Sequence, residues 1–327
     1  MTKMDVLTAL REKDGYVSGQ ELCERFKVSR TAVWKRIRQL QAEGYEIEAV
    51  PNRGYRIAGF PDVIAAEEVE SRLKTKWMGH PVRYFEVIDS TNQYAKKAAE
   101  DGAPEGLLVI SDEQTAGKGR SGRRWTTPRG TAIAMTILLR PKIAADRIAM
   151  TTLVMGLAVT EAVRELYGVP AGIKWPNDVV IDGKKICGIL TEMTTDMVSV
   201  SYIVVGTGIN ANVDEFPEEL KDTAISLKTV LGHEINRAEL IVSVMKHFEY
   251  YYEQFLAAGD LSAVMDRYNE LLLNRGRTVR VLEPGNEYAG VAEGINSLGE
   301  LLVRRGDGTV SRVYAGEVSV RGIYGYV

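Results

Sequence analysis

The sequence is poor in cysteine and contains no long apolar run. Its two cysteines among 327 residues, Cys23 and Cys187, lie far apart and form neither a disulfide framework nor a metal-binding pattern. The longest uncharged apolar run, residues 148–160, is shorter than the roughly 20 residues that a membrane helix needs. Asp5 lies in an N-terminal segment that has no apolar signal core followed by a cleavage site. These absences predict a protein of the reducing cytoplasm.

The remaining composition is that of an ordinary globular protein with two or three domains. Hydrophobic residues make up 45% and charged residues 26% of the chain. The net charge is −3, but residues 1–60 hold 11 Lys/Arg against 8 Asp/Glu, which gives +3 there and leaves −6 on the rest. Six basic residues and no acidic one lie between Arg25 and Arg38. This local basic stripe predicts a dedicated contact with a polyanion.

The basic stripe falls within a pattern of two short helices. Ser18 and Glu21 predict a capping box that opens a helix ending near Phe26, and Ser29 is expected to cap a second helix after a tight turn. The second helix has a predicted buried face at three apolar positions, which are Val33, Ile37 and Leu40. Two helices joined in this way are typical of a helix-turn-helix unit, whose second helix enters the major groove of DNA.

Two alternating strands complete the pattern of a winged helix. They are predicted over residues 45–50 and 54–57, around a Pro-Asn-Arg-Gly turn. The predicted DNA contacts are Ser29, Arg30, Thr31, Lys35, Arg36 and Arg53. The alternative is an ordinary solvated basic surface, but the order of helix, turn, basic helix and hairpin favours DNA binding.

A loop rich in glycine and cations follows in a region of alternating strands and helices. A strand over residues 82–88 ends at Ser90-Thr91-Asn92, whose polar side chains either cap the next helix or contact a small ligand. A second strand, residues 106–112, leads to GKGRSGRRW at 117–125, with four cations and three glycines. Such a loop suits a phosphate, although its spacing is not that of a Walker A motif. Alone, it leaves a phosphate site and a mobile surface loop equally open.

The second half of the chain carries a hairpin signal and a change to short strands. Asp182-Gly183 between apolar segments predicts a tight turn, since both residues tolerate positive φ. The preceding KWPND segment, residues 174–178, is expected to approach the hairpin as an extended segment. Helices are predicted over 237–257 and 261–274. From residue 277 onward, short strands with glycine-rich turns predict a small β-barrel.

Five motifs stand in a fixed order behind the winged helix: STN at 90–92, GKGRSGRRW at 117–125, KWPND at 174–178, KKICGIL at 184–190 and GTGIN at 206–210. This combination resembles the bifunctional biotin–protein ligases that also repress the biotin operon, and it spans essentially the whole chain. The usual loop of that family reads GRGRxGR, so Lys118 keeps the charge of an arginine but loses its planar fork.

The resemblance implies an α+β fold with three domains. Residues 1–62 would form a winged helix-turn-helix DNA-binding domain, and residues 63–274 a mixed-sheet ligase domain similar to class II synthetases. Residues 275–327 would form an SH3-like β-barrel. Two other functions stay open, namely a ligase for lipoate or octanoate and a ligand-sensing repressor without ligase activity.

The resemblance also implies a role for each matching residue. The contacts to biotin and biotinyl-5′-AMP would be Ser90, Thr91, Asn92, Gln114, Lys118, Gly119, Arg120, Lys185 and Gly188. The nucleotide contacts would be Arg123, Lys174, Asn177, Asn210 and Arg321. The catalytic residues would be Arg120, Lys185 and Asp178, and no residue is predicted to ligate a metal.

The implied reaction explains why cations are needed. The biotin carboxylate attacks the α-phosphorus of ATP and expels pyrophosphate, so that loop cations and Lys185, with Mg²⁺, would offset the repulsion between two anions. The loop would then cover the reactive biotinyl-5′-AMP. A lysine of a biotin carboxyl carrier domain would attack the acyl carbon, with Asp178 orienting or deprotonating it. Biotinyl-5′-AMP would also act as corepressor and favour a homodimer on operator DNA.

Overall fold

The computed structural model describes residues 1–13, 15–59, 61–195, 200–282, 287–314 and 319–322. These residues form an N-terminal winged helix, a central seven-stranded mixed sheet with helices, and a C-terminal five-stranded antiparallel sheet. The predicted α+β fold class is confirmed. No helix in these ranges is long and apolar enough to cross a membrane.

The winged helix has the predicted order of elements and one additional helix. Its elements are α1 (Lys3–Glu12), α2 (Gly19–Phe26), α3 (Arg30–Ala42), β1 (Glu46–Val50) and β2 (Gly54–Gly59). The side chains of Val33, Ile37 and Leu40 are buried against α1 and α2, as their spacing predicts. The hairpin of β1 and β2 forms the wing.

The helix caps differ in part from the prediction. Ser18 accepts a hydrogen bond from the Glu21 amide at 3.0 Å, but the Glu21 carboxylate binds Lys13 Nζ at 2.7 Å and does not reach back. The predicted capping box is therefore wrong in one of its two bonds. A complete box instead opens α1, where the side chains of Thr2 and Asp5 each bind the backbone amide of the other.

The central region forms two layers on a mixed sheet. Its elements are α4 (Ala66–Glu70), β3 (Val82–Ile88), α5 (Thr91–Glu100), β4 (Leu108–Gln114), β5 (Ile133–Leu139), α6 (Ile148–Tyr167), β6 (Gly172–Lys174), β7 (Asp178–Ile181), β8 (Lys184–Thr195), β9 (Val200–Ile209), α7 (Leu227–Leu231), α8 (Arg237–Ala258) and α9 (Met265–Leu271). The strand order is β3-β4-β5-β9-β8-β7-β6, in which only β3 and β4 are parallel neighbours.

Helices cover both faces of this sheet. α5 packs on one face through a small apolar cluster that includes Ala95, Ala99 and Val204. α6 packs on the other face and α8 packs on α6, and together they form the main core. The longest apolar run of the sequence lies in α6 and is buried there between the sheet and α8.

Two predicted segments take another conformation. The KWPND segment is a tight turn between β6 and β7, with Lys174 paired opposite Asp178, so the predicted extended approach is wrong. The helix predicted over 261–274 is a short 3₁₀ turn followed by α9, which ends at Leu271. It ends early because Leu272 and Leu273 pair with Ile173 of β6, the Leu273 amide donating to the Ile173 carbonyl at 2.9 Å. The Asp182-Gly183 turn is confirmed, with φ of 50° and 75°.

The C-terminal sheet packs against the central region. Its strands are β10 (Thr278–Leu282), β11 (Tyr288–Ile295), β12 (Leu301–Arg305), β13 (Val310–Val313) and β14 (Ser319–Gly322), in the order β13-β12-β11-β10-β14. Its inward side chains join the main core, and the Gly299 carbonyl accepts a hydrogen bond from Trp175 Nε1 at 3.1 Å. The KWPND turn is thereby held between two sheets.

A buried ion cluster joins the winged helix to α4. Glu68 of α4 is fully buried and accepts hydrogen bonds from Arg11 at 2.7 and 2.8 Å, from Arg72 at 2.6 Å and from the Tyr45 hydroxyl. Arg11 lies on α1 and Tyr45 immediately precedes β1, so two parts of the winged helix bind one carboxylate of the central region. Near the same junction, Arg237 binds Asp62 and Asp112, each at 2.7 Å.

Candidate functional site

A polar pocket opens on the sheet face that carries α5. Its lining includes ten of the residues predicted for biotin, biotinyl-5′-AMP or the nucleotide: Ser90, Thr91, Asn92, Gln114, Lys118, Gly119, Arg120, Asn177, Lys185 and Gly188. The start of α5, the end of β4, the glycine-rich loop, the β6–β7 turn and strand β8 bring these residues together. Segments far apart in sequence therefore meet in one cavity.

Glycines form the floor of this pocket. Gly188 of β8 pairs opposite Gly208 of β9. A Cβ atom on Gly188 would lie 2.8 Å from Lys185 Nζ, and one on Gly208 would collide with the indole of Trp125. A Cβ on Gly206 would likewise collide with the amide of Asn92. Only glycine therefore lets these side chains lie flat against the strands.

The glycine-rich loop folds back on itself above this floor. The Gly119 amide donates to the Arg123 carbonyl at 2.7 Å, and the Trp125 amide donates to the Gly117 carbonyl at 2.9 Å. A 3₁₀ turn over Arg120–Gly122 lies between these bonds. This fold directs Arg120 into the pocket and places Trp125 on the floor, where its indole N–H has no partner in the described part of the chain.

One end of the pocket is cationic. Lys185 Nζ lies 2.6 Å from Asp178 Oδ1 and 5.5 Å from the centre of the Trp125 ring. Arg120 donates to Asn177 Oδ1 at 3.5 Å. Burial lowers the pKa of Arg120, and the negative charge of Asp178 opposes that shift. Because both cations are partly removed from water, they interact more strongly with an incoming anion than exposed cations do.

The opposite end of the pocket is a neutral hydrogen-bonding array. Gln114 Oε1 accepts from the amide and the hydroxyl of Thr91, at 2.9 and 3.0 Å. Asn92 is held at both ends of its amide, since Nδ2 donates to Glu192 at 2.7 Å and Oδ1 accepts from Thr136 at 2.6 Å. These bonds fix the orientation of both side chains before any ligand enters.

Within this array, the hydroxyl of Ser90 remains available to bind a ligand. It is the N-cap residue of α5, but its side chain makes no capping hydrogen bond. Within the described residues its hydroxyl makes no hydrogen bond, although the residue is buried at the pocket wall. Of the two roles that the sequence leaves open for Ser90, contact with a ligand fits this geometry and capping does not.

Five predicted residues lie outside the pocket lining. Asp178 binds Lys185 of the lining, and Arg123 is exposed on the loop. Lys174 is buried at the end of β6, and Asn210 donates to the carbonyls of Lys185 and Ile225, each at 3.3 Å. The backbone of Arg321 pairs with Arg280, and its side chain is outside the described part. Their predicted roles toward the nucleotide or in catalysis stay predictions.

Several lining residues were not assigned from the sequence. They are Gln93, Trp125, Ala134, Met135, Ile189, Leu190, Glu192, Gly206, Thr207 and Gly208. The alternating glycines of GTGIN, on a strand that would otherwise carry side chains toward the pocket, are the one sequence signal that could have found the floor. Glu192 has no such signal, because its partners Asn92 and Lys96 are almost 100 residues away in sequence.

Replacing Gly206 by alanine is expected to raise the KM for biotin about 10- to 100-fold, because Asn92 must leave its position to make room for a methyl group. Steady-state kinetics at saturating ATP measure this change. Gly156→Ala in α6 is the matched control, since its Cβ would approach no neighbour closer than 3.7 Å. An unchanged KM in Gly206→Ala would show that Asn92 does not shape the biotin end.

The winged helix carries a second groove, between α2, α3 and the wing. Its lining includes Arg30 and Arg53 of the predicted DNA contacts. Arg30 binds Gln20 Oε1 at 3.1 Å, and Arg53 lies 4.6 Å above the ring of Tyr16. Both guanidinium groups therefore project from defined positions on the two sides of the groove.

The other predicted DNA contacts are divided between two faces of α3. Ser29 caps the helix by accepting from the Ala32 amide at 3.2 Å, and Thr31 and Lys35 are exposed. Arg36 lies on the flank away from the wing, where it donates to the Met1 carbonyl at 3.4 Å. The structure thus separates Arg36 from the residues that border the groove.

A winged helix joined to a domain whose pocket is neutral at one end and cationic at the other is typical of a DNA-binding protein that also binds a small carboxylic acid. Three family models match the chain: an HTH domain over residues 2–56, the biotin/lipoate A/B protein ligase family over 84–210, and the biotin protein ligase C terminal domain over 276–321. The chain belongs to the biotin–protein ligase family, in the class of bifunctional ligase/repressors.

Individual relatives cover nearly the whole chain. The bifunctional ligase/repressor BirA of Bacillus subtilis is 37% identical, over 93% of this chain and 94% of the relative. BirA of Escherichia coli is 29% identical, over 96% of each. Among solved structures, the biotin protein ligase from Aquifex aeolicus in complex with biotin and ATP matches with a TM-score of 0.66 and 30% identity, over 74% of this chain and 98% of that one.

Proposed function

We propose that this protein joins biotin to an acceptor protein at the expense of ATP and represses transcription by binding operator DNA. The observation that carries the ligase proposal is the polarity of the pocket, with Ser90, Thr91 and Gln114 at one end and Lys185 and Arg120 at the other. Biotin has the same polarity, since it carries a neutral hydrogen-bonding ring at one end and a carboxylate at the other. The similarity to a structure that contains biotin and ATP supports the same ligands.

The first step joins the carboxylate to the α-phosphorus of ATP. Ser90 supplies an available hydroxyl to the biotin ring, and Gln114 is oriented by its bonds to Thr91. Lys185 and Arg120 attract the carboxylate and stabilise the charge that develops on the transferring phosphorus. Pyrophosphate leaves, and the loop over residues 117–125 keeps water from the biotinyl-5′-AMP that forms.

Mg²⁺ fits this site only as an ion carried mainly by the phosphates of ATP. No group of three acidic, histidine or cysteine side chains converges on a metal position among the described residues. The nearby carboxylates are engaged, Asp178 with Lys185 and Glu192 with Lys96. Mg²⁺ commonly binds in this way, through substrate phosphates and few protein ligands.

In the second step, the amine of a lysine on a biotin carboxyl carrier domain attacks the acyl carbon of biotinyl-5′-AMP, forms an amide bond and releases AMP. Asp178 is 2.6 Å from Lys185 before the reaction, so an anion that draws Lys185 toward the pocket leaves the carboxylate of Asp178 available. The carboxylate then orients the incoming amine or accepts its proton. Arg123, Lys174, Asn177, Asn210 and Arg321 are proposed to serve the nucleotide.

The repressor part of the proposal concerns the groove between α3 and the wing. A single winged helix binds DNA weakly at physiological salt, so two copies on a two-fold operator are expected, with biotinyl-5′-AMP as corepressor. The winged helix is assigned to residues 1–62, the ligase domain to 63–274 and the SH3-like domain to 275–327. Two unpaired cysteines support a cytoplasmic location.

ATP–pyrophosphate exchange tests the ligase proposal and its alternatives. Exchange is expected with biotin, and not with lipoate, octanoate or no acid. Exchange that is equal with and without biotin would contradict the proposal, and exchange with lipoate alone would favour the lipoate-type ligase. Biotin-dependent DNA binding without any exchange would identify a repressor that lacks ligase activity.

A further inference from the structure

The helix expected to enter the major groove, α3, carries an exposed tryptophan. Trp34 of α3 has 53% of its surface accessible, although the buried face of the same helix lies next to it at Val33 and Ile37. A single exposed apolar residue is common on protein surfaces. Trp34, however, lies within the basic stripe, on the surface that the proposed function directs toward DNA.

Trp34 belongs to a ridge formed with two arginines. Arg30, Trp34 and Arg38 follow one another at intervals of four residues, which places them side by side along the helix. The guanidinium of Arg38 lies 5.5 Å from the centre of the indole ring. This cation–π contact restrains the ring, and it leaves more than half of the side chain in water.

The ridge borders the groove that faces the wing. Arg30, its first member, lines the groove together with Arg53 of the wing. Arg36, on the opposite flank, is turned to Met1. Trp34 therefore lies one helical turn from the groove and between two cations, so that on a bound duplex the arginines would hold phosphates and the indole would meet the edges of the bases.

An indole in this position differs chemically from its neighbours. Arginine and lysine bind phosphates and add affinity that does not depend on sequence. An apolar side chain gains little from phosphates, but it contacts the C5-methyl group of thymine, which is exposed in the major groove. Charge complementarity of the surrounding stripe with DNA identifies the occupant of the ridge as a duplex.

We propose that Trp34 reads a thymine in the operator by apolar contact between its indole and the C5-methyl group, with Arg38 as the residue that positions the ring. The proposal rests on the DNA-binding part of the proposed function. It assigns sequence specificity to Trp34, which is distinct from the general affinity supplied by the basic residues.

The test removes single methyl groups from DNA. Full-length wild-type protein, with biotin and ATP present, selects duplexes from a random-sequence library, and each thymine of a selected duplex is replaced in turn by deoxyuridine. Replacement at one position per half-site is expected to weaken wild-type binding about 3- to 10-fold. The same replacement should not change binding of Trp34→Ala. Trp34→Phe should retain part of the methyl effect.

Three control measurements distinguish the loss of a methyl contact from a general loss of DNA binding or of folding. Tyr250→Ala, which removes an exposed aromatic residue from α8, should bind every duplex as wild type does. The slope of log Kd against log salt should stay the same in Trp34→Ala, because no phosphate contact is lost. Thermal unfolding of each variant, compared with wild type, verifies that the winged helix is folded.

Three outcomes would overturn the proposal. Trp34→Ala that keeps the full effect of deoxyuridine shows that another residue contacts the methyl group. Weaker self-association of Trp34→Ala without DNA, by sedimentation, shows that the indole packs on a second copy of the chain. If deoxyuridine at no position weakens binding of wild-type protein to the selected duplexes, thymine readout is excluded. If wild-type protein enriches no sequence from the library, the repressor function itself is contradicted.

Discussion

Replacing Lys185 by alanine is expected to lower the rate of biotinyl-5′-AMP formation by about 10²- to 10³-fold. Lys185 is the cation nearest Asp178 at the charged end of the pocket, with 2.6 Å between Nζ and Oδ1. Its loss removes a positive charge from the meeting point of two anions and leaves the carboxylate of Asp178 beside them. Single-turnover formation of the adenylate, with saturating biotin and ATP, measures the effect.

The neighbouring residue supplies a close control for this experiment. Lys184 lies on the same hairpin, but its Nζ donates to the Lys221 carbonyl at 2.9 Å and does not line the pocket. Lys184→Ala should therefore form the adenylate at nearly the wild-type rate. Equal losses in the two variants would attribute the effect to the hairpin as a whole. A fully active Lys185→Ala would refute the assignment of the cationic end.

Replacing Glu68 by alanine is expected to lower the free energy of unfolding by about 3 to 5 kcal/mol. Glu68 is fully buried, and its carboxylate binds Arg11 and Arg72. Without it, two guanidinium groups and the Tyr45 hydroxyl remain at the junction with no carboxylate between them. Chemical denaturation measures the loss, and limited proteolysis near residue 62 reports whether the winged helix is released.

The matched control is again the adjacent residue. Glu67 is more exposed, and its ion pair with Lys3 spans 4.0 Å. Exposed pairs of this kind contribute about 0 to 1 kcal/mol to stability, so the free energy of unfolding of Glu67→Ala should lie within that range of the wild-type value. If the free energy of unfolding of Glu68→Ala also lies within about 1 kcal/mol of wild type, the cluster does not hold the junction. Loss of stability without faster proteolysis would place the damage in α4 alone.

Local patterns were sufficient to predict much of the fold. The strand over residues 82–88, the Asp182-Gly183 turn and the buried face of α3 depend on neighbouring residues, and the structure has all three. The prediction was wrong where tertiary pairing decides the conformation. Leu272 leaves its helix to pair with β6, and the KWPND segment turns because β6 and β7 pair across it.

The pocket shows the same division between local and long-range information. The polar residues of the five motifs stand out in sequence because loops rich in glycine and charge are unusual. The positions of Trp125 on the glycine floor and of Glu192 beside Asn92 depend on how β8, β9 and α5 come together. No spacing within a single segment contains that information, so these residues became visible only in three dimensions.

The buried cluster at Glu68 has a consequence for the spacing of operator half-sites. In the proposed complex of two copies on operator DNA, this cluster would hold each winged helix to its ligase domain and thereby fix the distance between the two winged helices. Each base pair inserted between the half-sites turns one of them by about 34° around the duplex. A freely rotating domain would follow that rotation, but a fixed one would lose its match to the groove, so the phase of the DNA helix would become part of what such a dimer recognises.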